Sequence, residues 1–162
     1  MARRVFFSFH YENDINRSMV VRNSWVTQGK ESAGFIDKAE FEKIKRQGDQ
    51  SVHNWINKQL QGTSVTVVLI GSETLKRPFV QYEICQSLNR GNAIIGVHIN
   101  NIEDMRTRYI TPKGIVHIVI GNHNGKPVYF DDICDGIYDY TYDDGYHNLG
   151  KWIESAAQKH GK

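Results

Sequence analysis

A glutamate at the edge of an apolar stripe is the residue of this chain best placed for chemistry. Arg77-Pro78-Phe79-Val80-Gln81-Tyr82-Glu83-Ile84-Cys85 follows the apolar run Val65-Thr66-Val67-Val68-Leu69-Ile70-Gly71. That run reads as a buried strand. The segment after it is then a helix at the strand's carboxyl end, where open α/β sheets place their ligand sites. At about 100° per residue, Val80, Ile84 and Leu88 share one stripe, and Glu83 falls at its border, between Phe79 and Val80. A carboxylate half inside an apolar wall is costly to ionise. Two readings stand side by side: a site with a tuned pKa, or a surface glutamate whose stem snorkels.

Several other chemistries lack their residues. The loop after the first strand is Ser8-Phe9-His10-Tyr11-Glu12-Asn13-Asp14. It has no glycine, so it is neither a P-loop nor a GxGxxG dinucleotide turn. A flavodoxin-type phosphate loop wants small residues there, not Phe, His and Tyr. A receiver domain needs an acceptor Asp at the end of the third strand, where this chain has Leu69-Ile70-Gly71-Ser72. No GxSxG elbow occurs. Seven histidines and two cysteines, Cys85 and Cys134, show no metal-ligand spacing, so no metal is expected.

The 162 residues suit one domain with a core of its own. Hydrophobic content is 40% and charged content 23%, with a net charge of +2. That charge is too small to argue for nucleic acid or an anionic membrane. No apolar run approaches the roughly 20 residues of a membrane span. Met1-Ala2-Arg3-Arg4 leads straight into a strand without a signal-peptide core. The expectation is a reduced, cytoplasmic protein.

The elements that position Glu83 alternate through the first two-thirds. Strand signals cover Val5 to Phe9, Ala33 to Asp37, Val65 to Ile70 and Ala93 to Ile99. A first helix, capped by Asp14, carries Ile15, Met19, Val20, Trp25 and Val26 and ends near Gly29. A polar, Lys-rich connection follows the second strand. A helix from about Asp49 carries Val52, Trp55, Ile56 and Leu60 and stops at Gly62. The helix of Glu83 has Pro78 in its first turn and runs to Gly91. This βαβαβαβ order predicts a parallel sheet covered on both faces. An insert over about 100–146 breaks the pattern. Within it, Ile115 to Ile120 and Lys126 to Phe130 flank Gly121-Asn122-His123-Asn124-Gly125 as a hairpin, and Tyr138 to Tyr142 reads as a short strand. A last helix spans about Leu149 to Lys159, capped by Asn148 or Asp144.

Taken in order, Val5-Phe6-Phe7-Ser8-Phe9-His10-Tyr11, Val20-Val21-Arg22-Asn23, Thr63 to Ser72, Tyr82-Glu83-Ile84, Gly91 to Asn100 and Asp143-Asp144-Gly145-Tyr146 resemble the TIR domains of bacterial antiphage defence. They look most like the TIR subunits of Thoeris systems. The resemblance implies an α/β, flavodoxin-like TIR fold, with a parallel sheet of about five strands and helices on both faces, forming one domain over 1–162. It implies an enzyme that cleaves NAD between nicotinamide and ribose, NAD being substrate and not cofactor. Glu83 matches the essential catalytic glutamate on the helix after the third strand. The product implied is a cyclic ADP-ribose isomer, made after a phage-derived trigger, that activates a partner effector. One domain leaves no length for a sensor or killing domain, so the effector is expected to be a separate protein. The alternatives are a scaffold module without activity and a plain NAD hydrolase.

Such chemistry has a defined demand. Nicotinamide leaves as a neutral group from a cationic ring, so the barrier lies in the oxocarbenium-like ribose. One carboxylate near that ribose stabilises the charge, and a dry aromatic pocket strengthens it. Phe9, His10 and Tyr82 are candidate walls, Ser8 a hydrogen-bonding hydroxyl and Arg22 a diphosphate holder. Asn23 and Asp37 complete the candidate substrate-binding set. Each has a plainer reading too: a turn hydroxyl for Ser8, exposure for His10, a surface ion pair for Arg22, a cap for Asp37, packing for Tyr82. Related enzymes complete the site with a neighbouring subunit through the loop after the second strand. Here that loop is Lys38 to Gln47, with Phe41 and Ile44 as the expected exposed contacts, and self-association is expected.

Overall fold

The computed structural model describes residues 3–27, 32–35 and 38–162. In chain order its elements are β1 (Val5–Ser8), α1 (Tyr11–Thr27), β2 (Ser32–Ala33), α2 (Lys38–Arg46), α3 (Asp49–Leu60), β3 (Val65–Ile70), a 3-10 turn (Thr74–Lys76), α4 (Pro78–Asn89), β4 (Ala93–His98), β5 (Val119–His123), β6 (Lys126–Tyr129), α5 (Phe130–Ile133), β7 (Ile137–Asp139) and α6 (Gly145–Lys159).

Five strands form one parallel sheet in the order β2-β1-β3-β4-β7. This is the doubly wound, flavodoxin-like order, which reverses between β1 and β3. Strand alternation divides the core in two. Val5 and Phe7, Val65, Val67 and Leu69, and Ala93, Ile95 and Val97 face one side, against Val21 and Trp25 of α1 and Leu149 and Ile153 of α6. Phe6 faces the other side with Val52, Ile56 and Leu60 of α3. Val68, Ile70 and Ile94 do so with Val80 and Ile84 of α4. Every residue of β1, β3 and β4 is buried, which is why these strands read as unbroken apolar runs. Ser8, Thr66 and His98 are the polar exceptions, and Thr66 shares a 2.7 Å hydrogen bond with Ser87 of α4.

The insert supplies the sheet's fifth strand and a separate ribbon. β5 and β6 pair antiparallel around Asn124 and Gly125, whose φ of 53° and 76° are those of a tight I′ turn. Phe130 of α5 plugs against Gly96, where a methyl would meet its ring.

Several boundaries differ from the sequence expectation. The Lys-rich connection is a helix, α2, because Phe41 and Ile44 turn inward together: Phe41 stacks on Tyr11 at 4.7 Å and Ile44 joins the α3 core. They are not exposed contact residues. α1 begins at Tyr11, since Asp14 N–H already bonds the His10 carbonyl at 2.9 Å. Asp14 is therefore no cap; it lies buried inside the first turns. The hairpin turn is the two residues Asn124-Gly125, not a five-residue loop. The fifth strand starts one residue earlier and ends sooner than expected. α6 starts at Gly145 with Asp144 at the cap position, so Asn148 lies within the helix.

Candidate functional site

The site begins at the end of β1. Ser8 is fully buried and donates a 2.9 Å hydrogen bond to Glu83 Oε1. α4 carries Glu83 there by packing Val80, Glu83, Ile84 and Ser87 inward. Ser87 takes the next inward place, and Leu88, expected in the stripe, is exposed. Glu83 is 6% exposed, so its carboxylate does not snorkel. Burial drives its pKa up to about 8, against the smaller opposing effect of the Ser8 hydrogen bond.

Glu83 opens onto a cavity of about 130 Å³. A cavity of roughly 150 Å³ holds a benzene ring, so this space takes one six-membered ring. Its walls are aromatic: Phe9, Tyr11, Phe41, Trp55 and Phe79 all line it. Phe9 stacks on Tyr11 at 6.0 Å, and Phe41 meets Trp55 edge-on at 6.3 Å. Four helices, α1, α2, α3 and α4, thus close a box over the end of β1.

The cavity's polar groups are few. His10 is 8% exposed, and neither ring nitrogen has a hydrogen-bond partner among the described residues. Burial first, and then the nearby Arg77 charge, lower its pKa, so the ring is neutral at pH 7. Lys45 Nζ and Glu12 Oε1 pair at 2.8 Å at the rim. Arg77, just before α4, completes the lining.

The structure sorts the sequence candidates. Ser8, Phe9, His10 and Glu83 come together. Tyr82 turns to α3, stacking on His53 at 3.8 Å and donating to Asn57 Oδ1 at 3.2 Å. Arg22 lies over the Phe35 ring at 5.7 Å, and neither it nor the exposed Asn23 lines the cavity. Asp37 falls outside the described residues. Sequence reasoning missed Tyr11, Phe41, Trp55 and Arg77. Only Arg77 carried a local signal, as a cation directly ahead of a helix start marked by Pro78. Among the described residues no group of three or more His, Cys, Asp or Glu is placed to hold a metal. No helix there is long and apolar enough to cross a membrane.

The segment that carries this site matches known proteins in sequence. A family model described as Thoeris protein ThsB, TIR-like domain, matches residues 6–104, which span β1 to β4 and hence both Ser8 and Glu83. A Bacillus cereus (strain MSX-D12) protein, named as a candidate cyclic ADP-D-ribose synthase ThsB1, is 51% identical over 106 residues. The match takes in 64% of this chain and 55% of that protein, so the chain spans about half the length of this relative. Among solved structures, the Clostridium botulinum CMP N-glycosidase BcmB aligns over 93% of this chain and 100% of its own, at 14% identity and a TM-score of 0.46. The family match covers more than half of the residues and contains the whole β1–α4 site: the chain belongs to the ThsB TIR-like domain family of Thoeris proteins.

Proposed function

We propose that this protein cleaves NAD at the nicotinamide–ribose bond and closes the ADP-ribose unit into a cyclic signal. The observation that carries the reading is Glu83, buried against Ser8 in an aromatic cavity the size of one ring. The nicotinamide ring enters between Phe9, Tyr11, Phe41 and Trp55. Its positive charge beside Glu83 favours the ionised carboxylate, offsetting the burial that raises the Glu83 pKa to about 8. Breaking the C–N bond leaves the electron pair on nicotinamide and a cation on the ribose, which the carboxylate stabilises. Ser8 fixes the carboxylate's direction and so is a positioning residue. A nucleophilic nitrogen or hydroxyl from the far end of the same molecule then attacks the anomeric carbon; if it is a hydroxyl, its proton is lost to solvent. Attack by water instead gives plain hydrolysis. A neutral His10 has an N–H to offer the substrate. Arg22, Asn23 and Tyr82 make no substrate contact in this reading.

The diffusible product activates a separate effector protein, and a phage-derived trigger starts its synthesis. A scaffold module has less support, because a packing surface gains nothing from an isolated buried carboxyl group. The test is mass spectrometry of small molecules after incubation with NAD, and from expressing cells during phage infection. Nicotinamide together with a cyclic ADP-ribose is expected. Linear ADP-ribose alone establishes the hydrolase, and unchanged NAD under both conditions overturns the enzymatic reading. Co-expression with the effector is expected to protect cells that this chain alone does not.

A further inference from the structure

The cavity takes one ring, and its rim is positively charged. Four observations meet there. Arg77 is the residue before α4, exposed at the cavity mouth, and its guanidinium has no ion pair among the described residues. α4 is twelve residues long, starts with Pro78 and has no side-chain cap. Gln81 N–H bonds the Arg77 carbonyl at 3.0 Å, so the N–H groups of Phe79 and Val80 are the unsatisfied donors of the helix start. Lys45 lies at the same rim, its charge shared with Glu12 at 2.8 Å. His10, buried to more than nine-tenths, lines the same cavity, and neither of its ring nitrogens has a hydrogen-bond partner among the described residues.

We infer that the start of α4, Arg77, Lys45 and His10 form a subsite for the phosphate groups of the substrate, at the mouth of the ring cavity. The proposal rests on the nucleotide reading above and moves phosphate recognition from Arg22, the sequence candidate, to Arg77. The chemistry is that of an anion at a helix N-terminus: oriented N–H groups, the positive end of the helix dipole and a guanidinium able to grip two oxygens. A neutral His10 supplies a further N–H donor. Burial of that ring then has a use, because a donor held in a dry wall is worth more to an anion than one in water. The geometry also orients a dinucleotide. With nicotinamide inside and phosphates at the α4 start, the adenosine end must lie outside the cavity.

Titration calorimetry with inorganic pyrophosphate, ADP-ribose and nicotinamide riboside tests this on the whole chain. Arg77→Gln, checked for an unchanged melting temperature, is expected to weaken pyrophosphate and ADP-ribose at least tenfold and nicotinamide riboside less than twofold. Arg77→Lys restores part of the loss. Wild-type affinity is expected to fall with added salt. No pyrophosphate binding by the wild type overturns the proposal. So do a loss of affinity that follows Arg22→Gln, and an Arg77→Gln protein that binds all three ligands normally. The two readings fail separately. Pyrophosphate binding lost in Arg77→Gln, with no NAD turnover by the wild type, keeps the subsite and removes the substrate. Full NAD turnover by Arg77→Gln at subsaturating substrate removes the subsite and keeps the enzyme.

Discussion

At the scale of single residues, Glu83 carries the most testable energetics. Its buried carboxyl titrates near 8, against an ordinary value of 4.5. Between those values the folded chain holds a proton that the unfolded chain has released. Stability therefore falls as pH rises from about 4.5 to about 8, and is flat in this respect above. Glu83→Gln removes the penalty. Its melting temperature is expected to match wild type near pH 4.5 and to exceed it by several degrees at pH 9, which differential scanning fluorimetry across pH reads directly. An equal difference at both pH values would mean the group titrates normally.

Activity should run the opposite way with pH. The cleavage step uses the carboxylate, so kcat/KM for NAD, which reports the free enzyme, is expected to rise about tenfold per pH unit below 8 and level off above it. Glu83→Gln, though more stable, should lose at least about a hundredfold in nicotinamide release. A protein that gains stability while losing turnover is the expected mark of a group kept for function. Wild-type turnover by Glu83→Gln sinks the assignment. The position of Glu83 at the border of an apolar stripe was legible from helix geometry, but a role in chemistry was implied only by the family resemblance. The Glu83 pKa was not legible, because that depends on Phe41 and Trp55, more than twenty residues away, closing the box.

At the scale of elements, a buried charge cluster ties the insert to α1. Arg17 is 4% exposed and lies between Asp14 at 3.5 Å and Asp104 at 3.9 Å. It also donates to the carbonyls of Ile102 and Tyr109, at 2.9 and 2.7 Å. Burial raises the Asp14 pKa to about 6, the Arg17 charge notwithstanding. Burial also works against the Asp104 charge, but backbone N–H bonds from Arg106 and Thr107, with help from Asn16 and Arg17, outweigh it and hold that pKa low. Gly71 is needed beside this cluster, since a methyl there would run into the Asp14 carboxylate. Arg17→Met leaves two carboxyl groups without their cation. A loss of about 3–5 kcal/mol is expected from urea unfolding, with faster protease cleavage in the 103–110 segment. Adding Asp14→Asn and Asp104→Asn should recover much of it, because the cost is that of unpaired charge. If Arg17→Met unfolds like wild type, the cluster does not hold the insert.

None of that cluster could be read from sequence. Asp14 looks like a helix cap, and Asp104, which shares Arg17 with it, is ninety residues further along the chain. α2 was hidden for a similar reason. It has two inward apolar residues, Phe41 and Ile44, in nine, too few for a periodic signal, and tertiary contact with Tyr11 and α3 supplies the rest. The buried strands needed no such help. Continuous runs such as Val65–Ile70 state both their type and their burial, and their alternation with helices predicts a parallel sheet, while the strand order is seen only in the structure.

At the scale of the whole molecule, the cavity is too small for the proposed substrate. About 130 Å³ admits one ring, whereas pockets that enclose a whole ligand run to roughly 300–1,000 Å³. On this reading the second ribose and the adenine lie across the open mouth, where water competes for the ribosyl cation. Cyclisation needs that mouth covered and the adenine end folded back, which is a problem of positioning and water exclusion. A second copy of the chain is the cover proposed here, and it does not dock through Phe41 or Ile44, which face inward. Two quantities should then rise together with protein concentration: nicotinamide release per mole of protein, and the ratio of cyclic to linear ADP-ribose. Product analysis over a hundredfold concentration range, alongside light scattering, measures both. The dilute monomer is expected to be nearly inert and to yield mainly the linear product. Constant specific activity and a constant product ratio, from a protein that stays monomeric throughout, would place the whole reaction in one chain and rule out the cover.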